Sequence, residues 1–174
     1  VGALAAQAAS TINYSAFPGD PDVWYNGSTP VPDGNRVSIG FFSSSFDVQA
    51  NGGNPTSLRS AWNELGGTSI WPVYGEPGRF ADTVNYTDPL FDGQKIWMWI
   101  FKTDDNTAPS GQYENVTSYG LYSSSMNNWF FPNHDAPPGA NTAIISSYDI
   151  NQSAFGTYDA NHLFLMPVPE PRSW

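Results

Sequence analysis

The chain has 174 residues and a mass of 19.0 kDa, the size of one ordinary domain, which excludes a large multidomain enzyme. Apolar residues make up 40% of it and aromatic residues 16%, enough bulk for a real core, so a wholly disordered chain is excluded as well. Six Lys and Arg against sixteen Asp and Glu leave a net charge of -10, which repels phosphate backbones and anionic lipid and argues against nucleic acid as a partner.

The first ten residues, Val1 to Ser10, are small and apolar. Ala6-Gln7-Ala8 fits the small-x-small cleavage site of a secretory signal peptide. Residues 1–17 are therefore expected to be a signal-like remnant or an N-terminal arm. Residues 18–166 are expected to form a β-sandwich domain, and residues 167–174 a Pro-rich tail. From Pro18 to Asn35 the chain is rich in turn residues, with Val23-Trp24-Tyr25 as a short edge strand between the turns. Arg36 to Phe42 reads as a strand with Val37, Ile39 and Phe41 on one face, and Gly40 marks a bulge or a close backbone approach.

One helix is predicted. Thr56 or Ser57 caps it; Leu58, Ala61 or Trp62, and Leu65 recur at helical spacing; Gly66-Gly67 stops it. The strongest strand is Gln94 to Lys102, whose two faces, Ile96/Met98/Ile100 and Trp97/Trp99/Phe101, are both apolar. In a two-layer sandwich one face of each sheet meets the core, so the second face must meet a helix, a long loop or another subunit. Further short strands are expected at 70–74, 119–122, 128–131, 142–148 and 162–166. With 16 Gly and 15 Pro placed between them, the pattern predicts an all-β sandwich or jelly roll carrying one short helix.

Chemistry is sparse. There is no cysteine, which removes disulfides, thiolate metal sites and Cys nucleophiles together. No G-x-S-x-G, G-x-x-x-x-G-K or G-x-G-x-x-G motif occurs. The two histidines are His134 in a loop and His162 before a strand, with Asp159 three residues ahead of the latter. Glu64, Glu76, Glu114 and Glu170 form no alternating acidic run of the kind that puts two carboxylates across a sugar. Three loop clusters offer oxygens to calcium: Asp20/Asp22/Asp33, Asp82/Asp88/Asp92 and Asp104-Asp105-Asn106. None has the spacing of a calcium loop, and turn formation accounts for each. Asn13, Asn26, Asn85, Asn115 and Asn151 each begin an N-x-S/T sequon. Trp24, Trp71 and Trp129 lie near turns and are candidates for stacking on sugar rings.

The chain ends Val168-Pro169-Glu170-Pro171-Arg172-Ser173-Trp174. Through Val168, Pro169, Glu170, Pro171 and Trp174 this resembles the V-P-E-P-x-x-W signature of the PEP-CTERM sorting tail, carried by exported proteins of bacteria with an exosortase. In that family a transmembrane helix and a basic cluster follow the signature, and no such span is present in this sequence. The resemblance implies a secreted protein at the outer surface of a Gram-negative-type bacterium, often within an exopolysaccharide matrix.

Two roles follow as expectations. The first is a non-catalytic surface or matrix structural protein that self-assembles into a homo-oligomer or filament. An N-terminal strand arm carrying Leu4, Ile12, Tyr14 and Phe17 would insert into a neighbouring copy. The second is a lectin-like carbohydrate-binding module using Trp24, Trp71 and Trp129, with calcium at Asp104 and Asp105 as a weak candidate cofactor. An enzyme with dispersed catalytic residues is the least favoured reading.

Overall fold

The computed structural model describes residues 9–170. Strands dominate. In chain order they are β1 (Ser10–Ala16), β2 (Asp22–Tyr25), β3 (Thr29–Pro30), β4 (Arg36–Phe42), β5 (Trp62–Ser69), β6 (Trp71–Val73), β7 (Glu76–Tyr86) and β8 (Trp97–Thr103). They continue with β9 (Val116–Ser123), β10 (Thr142–Ser146), β11 (Gln152–Phe155), β12 (Thr157–Tyr158), β13 (His162–Phe164) and β14 (Met166–Pro167). Two short helices, α1 (Val48–Asn51) and α2 (Pro55–Ala61), lie between β4 and β5.

The strands form three sheets: β10-β1-β7-β6, β11-β9-β8-β4-β5 with β14 beside β9, and the small β12-β13-β2-β3. The first two face each other as a sandwich. Ile12 and Tyr14 of β1 share one fully buried cluster with Val37 and Ile39 of β4 and with Met98 and Ile100 of β8. The third sheet closes part of this core with Val23 and Leu163. The fold is the expected all-β sandwich.

All seven residues of β8 are buried, so both of its faces are covered, as its sequence requires. The cover on the second face comes from this same chain. Trp97, Trp99 and Phe101 pack with Phe42, Tyr119 and Leu121 beneath Val48 of α1 and Leu58 of α2. No neighbouring subunit is needed to hide that face. The helices themselves are too short to hold alone and depend on this contact. Each is capped: the Asp47 carboxylate accepts from the Ala50 amide (2.9 Å), and the Asn54 side chain accepts from the Ser57 amide (3.1 Å) with Pro55 following.

Several expectations need correction. The predicted helix begins at Asn54 rather than at a Thr56 or Ser57 cap, and it ends at Ala61. Leu65, Gly66 and Gly67 belong to β5, where Gly67 lies opposite Ser38; a Cβ on Gly67 would come 2.6 Å from the Val37 carbonyl oxygen. Those glycines permit close strand approach instead of stopping a helix. Val23–Tyr25 is interior to the small sheet, paired on both sides, and is not an edge. Asn127–Trp129 forms a 3-10 turn, with only a single bridge, at Phe130, where a strand was expected. The bulge at Gly40 is present.

The domain limits shift at both ends. β1 lies between β10 and β7 in the chain's own sheet, with Tyr14 opposite Ile145 on one side and Asp82 on the other. From Ser10 onward the expected arm segment pairs within this chain's own sheet. At the other end Pro167 pairs in β14 and the Val168 amide donates to the Thr117 carbonyl (3.0 Å), so the Pro-rich tail begins docked on the sheet. Among the described residues no helix is long and apolar enough to cross a membrane.

Candidate functional site

An unusual backbone conformation stands on the molecular surface at Tyr74. β6 and β7 join through the two-residue turn Tyr74-Gly75, and Val73 pairs with Glu76. Both turn residues have positive φ, +52° and +83°, as a tight hairpin of matching twist requires. Asn, Asp or Gly ordinarily fills the first of these positions, because a bulky side chain is strained there. Here it is a tyrosine, and its residue surface is 84% exposed. The ring is tilted against Phe17, 6.3 Å away and 44% exposed. Trp71, three residues back on the same hairpin and 43% exposed, adds apolar surface. Large aromatic side chains left in water on rigid elements mark interaction surfaces.

Arg79 holds the backbone at Phe17. Its side chain is almost wholly buried, and its guanidinium donates to the Phe17 carbonyl (3.0 Å), the Asp20 carbonyl and the Glu76 carboxylate (2.7 Å). The planar fork joins the exit of β1 to the start of β7 in a way a lysine could not. Phe17 itself opens the turn Phe17-Pro18-Gly19-Asp20. The Asp20 amide donates to the Phe17 carbonyl (2.9 Å), the Asp20 carboxylate accepts from the Phe17 amide (3.1 Å), and Gly19 supplies the positive φ of 97°. Both aromatic side chains therefore project from backbone that hydrogen bonds hold on each side.

Next to Phe17 the outer face of the first sheet forms a shallow depression lined by Asn13, Ser15, Ala81, Thr83 and Ile144. Its floor is polar and ordered: Thr83 Oγ1 donates to Asn13 Oδ1 (2.6 Å), and further along Thr11 Oγ1 donates to Asn85 Oδ1 (2.7 Å). The carboxamide nitrogens of Asn13 and Asn85 hold no bond among the described residues, so both can donate outward. Aromatic rings beside amide donors provide a stacking surface and hydrogen bonds for hydroxyl groups.

The expected stacking tryptophans separate. Trp71 is exposed on β6, three residues before Tyr74. Trp129 is fully buried, and its indole lies with Asp149 (3.4 Å), so it is corrected from ligand platform to core. Trp24 is half-buried; its indole N–H donates to Asp22 (2.9 Å) and its ring stacks on His162 at 3.9 Å. Asp22 also holds His162 Nδ1 at 2.5 Å, while the Asp159 carboxylate accepts from the His162 amide rather than from its ring. The carboxylate–imidazole pair is two-thirds of a triad, with no hydroxyl hydrogen-bonded to the ring among the described residues. His134 pairs with Asp92 at 2.5 Å in the same way.

The remaining candidates are placed as follows. Ile12 and Tyr14 are buried in the sandwich, and Leu4 lies outside the described residues. Val168 is half-buried against the outer aromatic layer, Pro169 and Glu170 are exposed, and Pro171 and Trp174 lie outside the described residues. Asp104 and Asp105 are exposed. The Asp105 carboxylate accepts from Thr107 Oγ1 (2.8 Å), and that bond holds it below the usual carboxylate range. The turn is anchored by buried Asn35, which donates to Asn106 Oδ1 and accepts from the Thr103 amide. Asp105 thus acts as a turn former. Among the described residues no three His, Asp or Glu side chains gather as a metal site. Glu64 pairs with Arg36 (3.1 Å) and Glu76 with Arg79, so neither faces a partner carboxylate.

Sequence reasoning missed Tyr74, Arg79 and the amide floor. Compared with family models, curated proteins and solved structures, the chain matches none.

Proposed function

We propose that this chain is an exported, non-catalytic component of a bacterial surface or extracellular matrix, and that it holds polysaccharide on the Phe17–Tyr74 surface. The observation that carries this reading is Tyr74 itself. A bulky ring is kept at a left-handed turn position and left 84% in water, beside a second exposed ring whose backbone a buried arginine holds. Strain of this kind persists where the surrounding structure enforces it, and it concentrates where ligands bind. Sugar rings stack on the aromatic pair, and their hydroxyls meet the amides of Asn13 and Asn85. The net charge of -10 selects neutral glycans over anionic ones. Export and the matrix setting rest on the resemblance of the Val168–Trp174 tail to the sorting signature. Assembly through an N-terminal arm is set aside, because it would need β1 to leave a sheet in which it is paired on both edges.

The test is electrophoresis in native gels cast with neutral polysaccharides (β-glucan, xylan, galactomannan) or with alginate. The expected result is retardation in at least one neutral gel, none in alginate, and loss of retardation on Phe17→Ala with an unchanged unfolding midpoint. Free migration in every gel overturns the reading.

A further inference from the structure

We infer that the Asn26-Gly27 tip of the β2–β3 hairpin is a site of self-modification. The Asn26 side chain is lost there as ammonia and the backbone isomerises to isoaspartate, while the same dipeptide at Asn51-Gly52 is protected by its packing. The chemistry needs no ligand and stands apart from polysaccharide binding.

Asn-Gly occurs twice in the chain. Attack by the next residue's amide nitrogen on the asparagine carboxamide is least hindered when that residue is glycine, which has no Cβ. Asn26, Gly27 and Ser28 are all exposed and join β2 to β3, with Tyr25 opposite Thr29. Both Asn26 (φ +48°) and Gly27 (φ +76°) are there because the turn needs left-handed residues. One long bond, from the Ser28 amide to the Tyr25 carbonyl (3.4 Å), crosses the tip. Even a Cβ on Gly27 would meet no atom within 4 Å, so the loop has room to rotate toward ring closure. Ser28 Oγ donates to Asn26 Oδ1 (3.3 Å), which draws electrons from the carboxamide carbon. The carboxamide nitrogen, which must leave, holds no bond among the described residues.

Asn51-Gly52 is the opposite case. Asn51 ends α1 and is half-buried, and its Nδ2 donates to the Asp47 carbonyl (2.8 Å). Gly52 is buried so closely against β11 that a Cβ would collide with the Ala154 carbonyl, and its own carbonyl accepts from the Tyr119 hydroxyl (2.9 Å). Both the leaving nitrogen and the attacking residue are held, so ring closure there must wait for local opening of the segment.

At Asn26 the Gly27 amide nitrogen gives its proton to solvent hydroxide and attacks Cγ. The N–Cγ bond forms, the Cγ–Nδ2 bond breaks, and the nitrogen departs as ammonia with a proton from water. Water then opens the succinimide at either carbonyl, giving aspartate or isoaspartate; nothing is oxidised or reduced. Either product adds one negative charge to a chain already at -10. Isoaspartate also puts an extra carbon into the backbone of the loop, beside a two-residue strand paired on one side only, so β3 is the element it loosens.

The test is peptide mapping by mass spectrometry after incubation in warm, mildly alkaline buffer, with protein unfolded in guanidinium chloride as reference. In the folded protein the Asn26 peptide is expected to gain the mass of deamidation roughly tenfold faster than the Asn51 peptide, and to split into aspartate and isoaspartate forms. In the unfolded protein the two rates should converge. Val48→Ala, which loosens α1, is expected to speed the reaction at Asn51 several-fold and leave Asn26 unchanged. Three results overturn the inference: Asn26 intact in the folded protein while it reacts in the unfolded one, Asn51 reacting as fast as Asn26 in the folded protein, or Asn51 as slow in folded Val48→Ala as in wild type.

Discussion

The aromatic residues of this protein fall into two populations that do opposite work. Over the outer face of β8, Trp97, Trp99, Phe101 and Tyr119 are buried under two helices that have little stability of their own. At the β6–β7 hairpin, Tyr74, Phe17 and Trp71 stand in water on backbone that is pinned and in part strained. Ring chemistry is the same in both places. What differs is the backbone around it: regular strand in the first case, a left-handed turn and an arginine-clamped exit in the second. Rings on regular strands are placed by burial, whereas rings on strained turns need another reason to be there. In the first population a substitution should change stability, and in the second it should change binding.

Alkaline pH acts hardest on the buried set. Burial pushes the Tyr86 hydroxyl up to about 12, and it raises Tyr14, Tyr119 and Tyr122 as well. Unfolded tyrosines release their protons near 10. The native state keeps these four protonated above that pH, so the unfolded state binds fewer protons and stability falls as pH rises. The contribution is intact below pH 10 and is lost through the folded values. Four such groups remove about 5 kcal/mol per pH unit between about 10 and 12. Urea titrations at pH 8, 10 and 11 should show a steep fall in the midpoint; a flat response would mean these rings are hydrated.

Next in size is Phe101→Ala, which empties the outer aromatic layer and should lower stability by about 3–5 kcal/mol with polysaccharide retardation retained in the folded fraction. Arg79→Met comes between the two populations. It leaves the Asp20 carbonyl without its donor and the Phe17 carbonyl with the Asp20 amide alone, and should lower stability by about 2 kcal/mol. Because it also frees Phe17, retardation should weaken several-fold, and Arg79→Lys should restore little of either. A variant that lost stability but kept full retardation would separate Phe17 from the arginine clamp.

Much of the sandwich was legible from sequence. The alternation in Arg36–Phe42 and the doubly apolar run ending at Lys102 gave two neighbouring central strands, β4 and β8, and Gly40 marked the bulge. β7, the longest strand, went unread because its solvent side carries Thr83 and Asn85, residues that in sequence look like turn formers. The start of β5 reads as the end of a helix because Leu65-Gly66-Gly67 matches a stop signal. What places glycine there is the approach of Val84 and of the Val37 carbonyl from neighbouring strands, a tertiary demand that no local pattern carries. The surface site was hidden for a related reason. A hairpin announces itself by Asn-Gly or Asp-Gly, and Tyr74-Gly75 replaces the signal with the residue whose presence there has to be explained. Trp129 shows the converse: proximity to turns says little about exposure when a 3-10 segment tucks the ring inward.

The smallest expected change in stability gives the sharpest separation of the two populations. In Tyr74→Asn the turn receives a residue suited to φ +52°, so the unfolding free energy should rise by about 1 kcal/mol and the midpoint with it. If the ring is kept for binding, the same variant should migrate freely through every neutral polysaccharide that retards the wild type. A stabilised variant that is retarded as before would contradict the account, since Tyr74 would then be strained to no purpose.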